Sequence, residues 1–142
     1  MTCNPQAYLQ AAKEIQQIAS SEGCFRATAN RGYYAVFHRC KEFYSALPRL
    51  GTLAGKGEHE QLINLLKAPS NKMTEHLQDR SVTIGKYLRE MCDTRVHADY
   101  EPGTPFTAEQ MNEAMDTAEM IFACAAVTKG PVTAQVAPLL KA

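Results

Sequence analysis

The stretch Arg31-Gly32-Tyr33-Tyr34-Ala35-Val36-Phe37-His38 decides how this chain folds. Around it, Phe25, Ala29, Gly32, Val36, Cys40, Phe43 and Leu47 recur at steps of three and four. That spacing gathers side chains on one face of an α-helix. Such a stripe faces a protein interior, and Tyr33, Phe37 and Tyr44 widen it. Arg31 and His38 lie seven residues apart, two turns along one side, so a cation and an imidazole border the apolar seam.

Outward from this helix, caps and breakers place its neighbours. Asn4-Pro5 is an N-cap followed by Pro at the first helical position, opening a helix that runs to about Ser20. Ser20-Ser21-Glu22-Gly23 breaks it, and the long helix then spans about Cys24 to Leu47, where Pro48 stops it. Arg49 to Lys56 carries Gly51 and Gly55 and reads as a loop with Gly57 at its end. His59 to Lys67 is a short amphipathic helix ended by Pro69, and a further helix runs from near Thr74 to about Thr94. Its apolar side carries Leu77, Ile84, Tyr87, Leu88 and Met91, while Gly85 weakens it by roughly 1 kcal/mol and suits a close helix contact. Thr107 and Gln110 form a capping box for the last helix, whose Met111, Met115, Ala118, Phe122 and Ala125 keep helical spacing. No period-two run is long enough for a sheet. The expected architecture is all-α, an up-and-down bundle of four to five helices over residues 1–129, with 130–142 a C-terminal tail.

The bulk properties narrow the function classes. A chain of 142 residues fits one domain and buries a core without staples. No apolar run of eighteen residues writes a transmembrane helix, and Met1 to Gln6 lacks the pattern of a signal peptide, so a cytoplasmic protein without membrane partners is expected. Five cysteines, odd in number and without a CxxC pair, fit a reducing compartment and neither a disulfide framework nor a zinc site. Net charge is zero, against a uniformly basic nucleic-acid surface. The distribution is uneven. Cys24 to Leu50 holds Arg26, Arg31, Arg39, Lys41 and Arg49 against Glu42, whereas Glu101 to Met120 holds five acids and no Lys or Arg. Either these are oppositely charged solvated faces of neighbouring helices, or the basic one lines a groove for a phosphate backbone. Arg31 and Arg39, together with Arg89, are the candidate RNA- or phosphate-binding residues of that groove.

The segment Tyr33-Tyr34-Ala35-Val36-Phe37-His38 resembles the Tyr-Tyr-Ala-X-Phe-His signature of HEPN domains, small all-α proteins of prokaryotic toxin–antitoxin and defence loci. Arg95-Val96-His97-Ala98-Asp99-Tyr100 is similar to the Arg-X-X-Ala-Asp-Tyr segment of a branch of that family, and the resemblance covers roughly Tyr8 to Val127. It implies that Tyr33, Tyr34, Phe37, His38 and Asp99 belong to the structural motif. It also implies a homodimer, or a heteromer with a protein of the same locus such as a nucleotidyltransferase. Ribonucleolytic members carry an Arg, four to six other residues, then a His, and two such motifs meet across a dimer around RNA. Here Arg89 is separated from His97 by seven residues and Arg95 by one, so neither spacing fits.

Arg95 and His97 are nonetheless the right residue types for metal-independent RNA cleavage. An imidazole titrates near neutrality and a guanidinium fork stabilises charge on phosphorus, with Tyr100 as a further donor. On a helix, residues two apart point about 200° from one another, so one chain converges them only if the helix has ended by Ala98. Arg95 and Asp99 are also an i,i+4 pair that supports a helix end. His38 reads as a satisfied histidine under the bundle, and Glu58-His59-Glu60 and Glu75-His76 as solvated loops. No metal-ligand spacing, nucleotide loop or serine-hydrolase motif is present, and no cofactor is expected. Two readings stand: an interaction or regulatory module of such a system, or a metal-independent endoribonuclease using Arg95 and His97.

Overall fold

The computed structural model describes residues 4–48, 53 and 57–126. The expected tail over 130–142 and most of the expected loop over 49–56 lie outside the described residues. The chain is all-α: α1 (Pro5–Ile18), α2 (Glu22–Ser45), α3 (Glu58–Lys67), α4 (Glu75–Tyr100) and α5 (Ala108–Ala125). Helix α2 packs against all four others and forms the centre of the bundle. Its buried residues include Ala29, Gly32, Tyr33, Val36, Phe37, Cys40, Phe43 and Tyr44, the stripe marked by the periodicity. Leu62, Ile63 and Leu66 from α3, Leu77, Ile84 and Leu88 from α4, and Met111, Met115 and Ile121 from α5 complete the core.

Capping chemistry sets the helix starts. The Asn4 side chain accepts from the Ala7 amide at 2.8 Å, with Pro5 opening α1. Ser21 accepts from the Cys24 amide, so α2 begins at Glu22, earlier than a Ser-Ser-Glu-Gly break implies. Thr107 and Gln110 exchange both bonds of a capping box. Gly57, at φ 78°, supplies the left-handed turn into α3. Gly85 lies against α3, where an added Cβ would meet Leu66 Cβ at 3.1 Å and the Lys67 amide nitrogen at 3.2 Å.

One boundary differs in a way that matters. Helix α4 runs to Tyr100, not to Thr94. No breaker stands between Thr94 and Pro102, and the carbonyls that the helix end leaves open find a donor. Arg26 of α2 donates from Nη1 to the carbonyls of His97 (3.1 Å), Ala98 (2.9 Å) and Glu101 (3.3 Å), and from Nη2 to that of Thr104. A guanidinium at the negative end of a helix dipole is favourable, and here it ties α4 to α2. Helix α5 ends in the same manner. The fully buried Arg80 donates Nε to the Cys124 carbonyl at 2.7 Å and Nη2 to that of Ala126, and Arg39 donates to Ala125 at 2.8 Å. No described helix is long and apolar enough to cross a membrane.

Candidate functional site

Extension of α4 through Tyr100 makes Arg95, His97, Asp99 and Tyr100 all helical, and their faces follow from the 100° step. Arg95 turns towards α2. Its guanidinium carbon lies 5.1 Å from the Tyr33 ring centroid and 5.6 Å from that of Tyr100, within cation–π range. Its Nη1 lies 3.7 Å from Asp99 Oδ2 and 3.5 Å from the Tyr100 hydroxyl. Asp99 in turn accepts from Asn30 Nδ2 at 2.7 Å, so the acid links α4 to α2 as well as to its own helix. Arg95 Nε is shielded from solvent and has no hydrogen-bond partner.

On the α2 side, Tyr33 is fully buried and its hydroxyl lies 2.6 Å from His59 Nδ1. Burial pushes the Tyr33 hydroxyl well above the ordinary tyrosine range, so it stays protonated and donates to His59. Burial first, and then the positive charge of Arg95, lowers the His59 pKa, which favours the neutral ring that accepts this bond. His59 also stacks on Phe37 with centroids 4.0 Å apart and on Tyr33 at 5.5 Å. Next to it Lys41 pairs with Glu58 at 2.5 Å. His38 stacks on Tyr8 at 5.7 Å and meets the edge of Phe37, and burial lowers its pKa, with Lys41 adding to the effect. Tyr34 reaches the surface beside Tyr33. The two signature segments thus pack against each other, with the Arg95 guanidinium over the Tyr33 ring.

The family model described as the HEPN domain matches residues 6–128. The chain belongs to the HEPN domain family. No curated protein and no solved structure matches it.

In this HEPN domain His97 looks elsewhere. Its ring meets Phe106 edge-on at 5.4 Å and lines a cleft between α4 and α5, with Nε2 shielded from solvent and without a hydrogen-bond partner. Arg95 faces α2 and His97 faces α5, so one chain does not bring the pair together. Of the candidate phosphate ligands, Arg39 is held by the Ala125 carbonyl and Glu42, and Arg89 by Glu60 and Asp93. Arg31 is exposed and has no ion pair among the described residues.

His59 belongs to the first turn of α3 and is half-buried, where its acidic neighbours read as a solvated loop. The signal for it was periodic: His59, Leu62, Ile63 and Leu66 share one face at steps of three, one and three. Arg80 likewise sits on the Leu77, Ile84, Leu88 stripe of α4, three residues after Leu77 and four before Ile84. Among the described residues no group of three His, Cys, Asp or Glu side chains is placed to hold a metal ion.

Proposed function

We propose that this HEPN domain is an interaction or regulatory module of a prokaryotic toxin–antitoxin or defence system. It acts in the cytoplasm as a homodimer or with a nucleotidyltransferase-type partner. The observation that carries this reading is the separation of Arg95 from His97 on opposite sides of α4. Arg95 is engaged with Asp99, Tyr33 and Tyr100, a use that joins α4 to α2 rather than aiming a guanidinium at a substrate. The rim of this cluster supports an interface. Tyr34 is 37% exposed, Val96 37% and Tyr100 68%, and Tyr beside Arg is the composition that protein interfaces favour.

The test pairs melting temperature with RNA cleavage for wild type, Arg95→Ala, Asp99→Ala and His97→Ala. Arg95→Ala, which removes a cation–π contact and an ion pair, and Asp99→Ala, which removes that ion pair and the hydrogen bond from Asn30, are each expected to lose about 1–2 kcal/mol. Wild type is expected to leave RNA uncut. Metal-independent cleavage by wild type, abolished by His97→Ala and Arg95→Ala at unchanged melting temperature, would establish the endoribonuclease reading instead, with Arg95 of one chain meeting His97 of the other. Sedimentation as a monomer at tens of micromolar, with no partner recovered from cells, overturns the interaction role.

A further inference from the structure

His59, in the first turn of α3, stacks on two aromatic rings of α2 that each carry a cation already. Its centroid lies 4.0 Å from that of Phe37 and 5.5 Å from that of Tyr33. Lys41 Nζ lies 5.5 Å from the Phe37 centroid, and the Arg95 guanidinium carbon lies 5.1 Å from that of Tyr33. We infer that His59 is a proton-operated latch, which holds the first turn of α3 on α2 while its ring is neutral and frees that turn when the ring takes up a proton.

The hydrogen bond sets the first condition. The neutral ring accepts from the buried Tyr33 hydroxyl, 2.6 Å from Nδ1. An imidazolium carries N–H on both nitrogens and accepts nothing. The bond survives protonation only by reversing, which turns the phenol proton towards the Cys92 thiol, a weak acceptor. Charge sets the second. The groups that face His59 besides Tyr33 are His38 and Lys41 from α2, Glu58 from its own helix and Arg95 from α4. Glu58 is the carboxylate among them, and Lys41 holds it at 2.5 Å. A further positive charge against Arg95 and Lys41 is repelled, and its attraction to the two rings is shared with the cations they already hold. Burial and Arg95 lower the folded pKa of His59 below its ordinary 6.5. The latch is therefore strongest above pH 6.5 and weakens as pH falls through the folded value.

The release is confined to one end of α3. Gly57 gives this helix no side-chain cap, so its first turn depends on tertiary contacts. Besides His59 these include the pairs of Glu58 with Lys41 and of Glu60 with Arg89, all four side chains partly exposed and so weakly paired. Further along, Leu62, Ile63 and Leu66 are fully buried, and Ser81 Oγ donates to the Leu66 carbonyl at 2.7 Å, which keeps the rest of α3 on α4. Departure of the first turn uncovers Tyr33 and Phe37 beside the exposed Tyr34, so a proton changes the apolar surface of this face.

The test follows amide hydrogen exchange of the full chain between pH 7.5 and pH 5, as protection factors corrected for the intrinsic pH dependence of exchange. The amide of Gln61, which donates to the Gly57 carbonyl, reports the first turn, and that of Ile84, inside α4, reports the bundle. Protection at Gln61 is expected to fall as pH drops from 6.5 to the folded value, by up to about tenfold per pH unit. At pH 5 its exchange is to respond less to added urea than that of Ile84, because a local opening exposes little surface. In His59→Phe, which keeps a ring on Phe37 without a titrating nitrogen, the pH dependence is to vanish, and in His38→Gln it is to remain. Constant protection at Gln61 overturns the inference, as do pH dependence that persists in His59→Phe or vanishes in His38→Gln, and a urea response equal to that of Ile84. Should His59→Phe fail to fold, the His59 ring proton signal of wild type decides, and titration at or above pH 6.5 overturns the inference as well.

Discussion

Replacement of Arg26 by Ala tests the joint between α2 and the end of α4. The side chain is 14% exposed and reaches four carbonyls while pairing with Glu22 at 3.3 Å. Two of those carbonyls, Glu101 and Thr104, lie at the exposed side, where water replaces the lost donor at little cost. The other two, His97 and Ala98, are part-buried, and a hydrogen bond from a charged donor is worth about 1.5–3 kcal/mol. Charge at the helix end adds about 0.3–1 kcal/mol. The sum for Arg26→Ala, two such bonds plus the helix-end charge, is a loss of about 3–7 kcal/mol, or a fall in melting temperature of roughly 10–25 °C for a domain of this size. Arg26→Lys recovers less than half, because a single ammonium cannot span carbonyls spread from His97 to Thr104. Thermal unfolding measures the total, and hydrogen exchange at the amides of Asp99 to Glu101 locates it. A fall of less than about 3 °C, or unchanged exchange at the end of α4, would refute the role of Arg26 as the lock on the second signature segment.

Further perturbations probe other parts of the bundle. Val36 is fully buried, so Val36→Asp forfeits about 1.5–3 kcal/mol of apolar transfer and adds several more for an unpaired charge. That total is comparable to a domain's stability, and loss of the cooperative melting transition by circular dichroism is expected; the same holds for Phe37→Asp. Gly85→Ala gains about 1 kcal/mol in helix propensity but drives a methyl into Leu66 Cβ and the Lys67 amide nitrogen. A net loss of about 1 kcal/mol is expected, since overpacking costs about 1–3 kcal/mol, and a higher denaturant midpoint would show that α3 yields. Burial holds His38 and His59 below their ordinary value of 6.5. For a base with a lowered folded pKa, the unfolded chain binds protons first, so their contribution is complete above pH 6.5 and lost as pH falls through the folded values. Stability that rises between pH 7.5 and pH 5 would contradict this sign.

The stripe from Ala29 to Leu47 was legible because every third or fourth residue is apolar, and the capping box at Thr107 because both partners sit three residues apart. These are local signals, and local signals are what a sequence prints. The end of α4 was not legible, since what holds it is Arg26, whose distance along the chain from the carbonyl of His97 is 71 residues. The same reason hid His59. Its periodic place beside Leu62, Ile63 and Leu66 was visible, but its partner Tyr33 lies 26 residues away on another helix. Two acidic neighbours made the segment look solvated, and the packing of one imidazole between Tyr33 and Phe37 outweighs them. The geometry that separates Arg95 from His97 follows from the helical step alone once the helix is known to continue past Ala98.

The continuation of that helix also bears on the basic run of α2. Arg26 closes the end of α4, Arg39 closes the end of α5 together with Arg80, and Lys41 pairs with Glu58. Arginine serves helix ends well because its planar fork reaches several carbonyls that a helix cannot satisfy internally. Each cation held in this way is withdrawn from any phosphate, since releasing it would reopen buried carbonyls at about 1–3 kcal/mol apiece. Among the described residues of α2, Arg31 is the basic side chain that has no such commitment. A backbone-binding groove draws its affinity from many uncommitted cations acting together, each adding about one unit to the salt dependence. Arg31 is a single exposed cation, and the committed basic side chains of α2 serve the joints of the bundle itself.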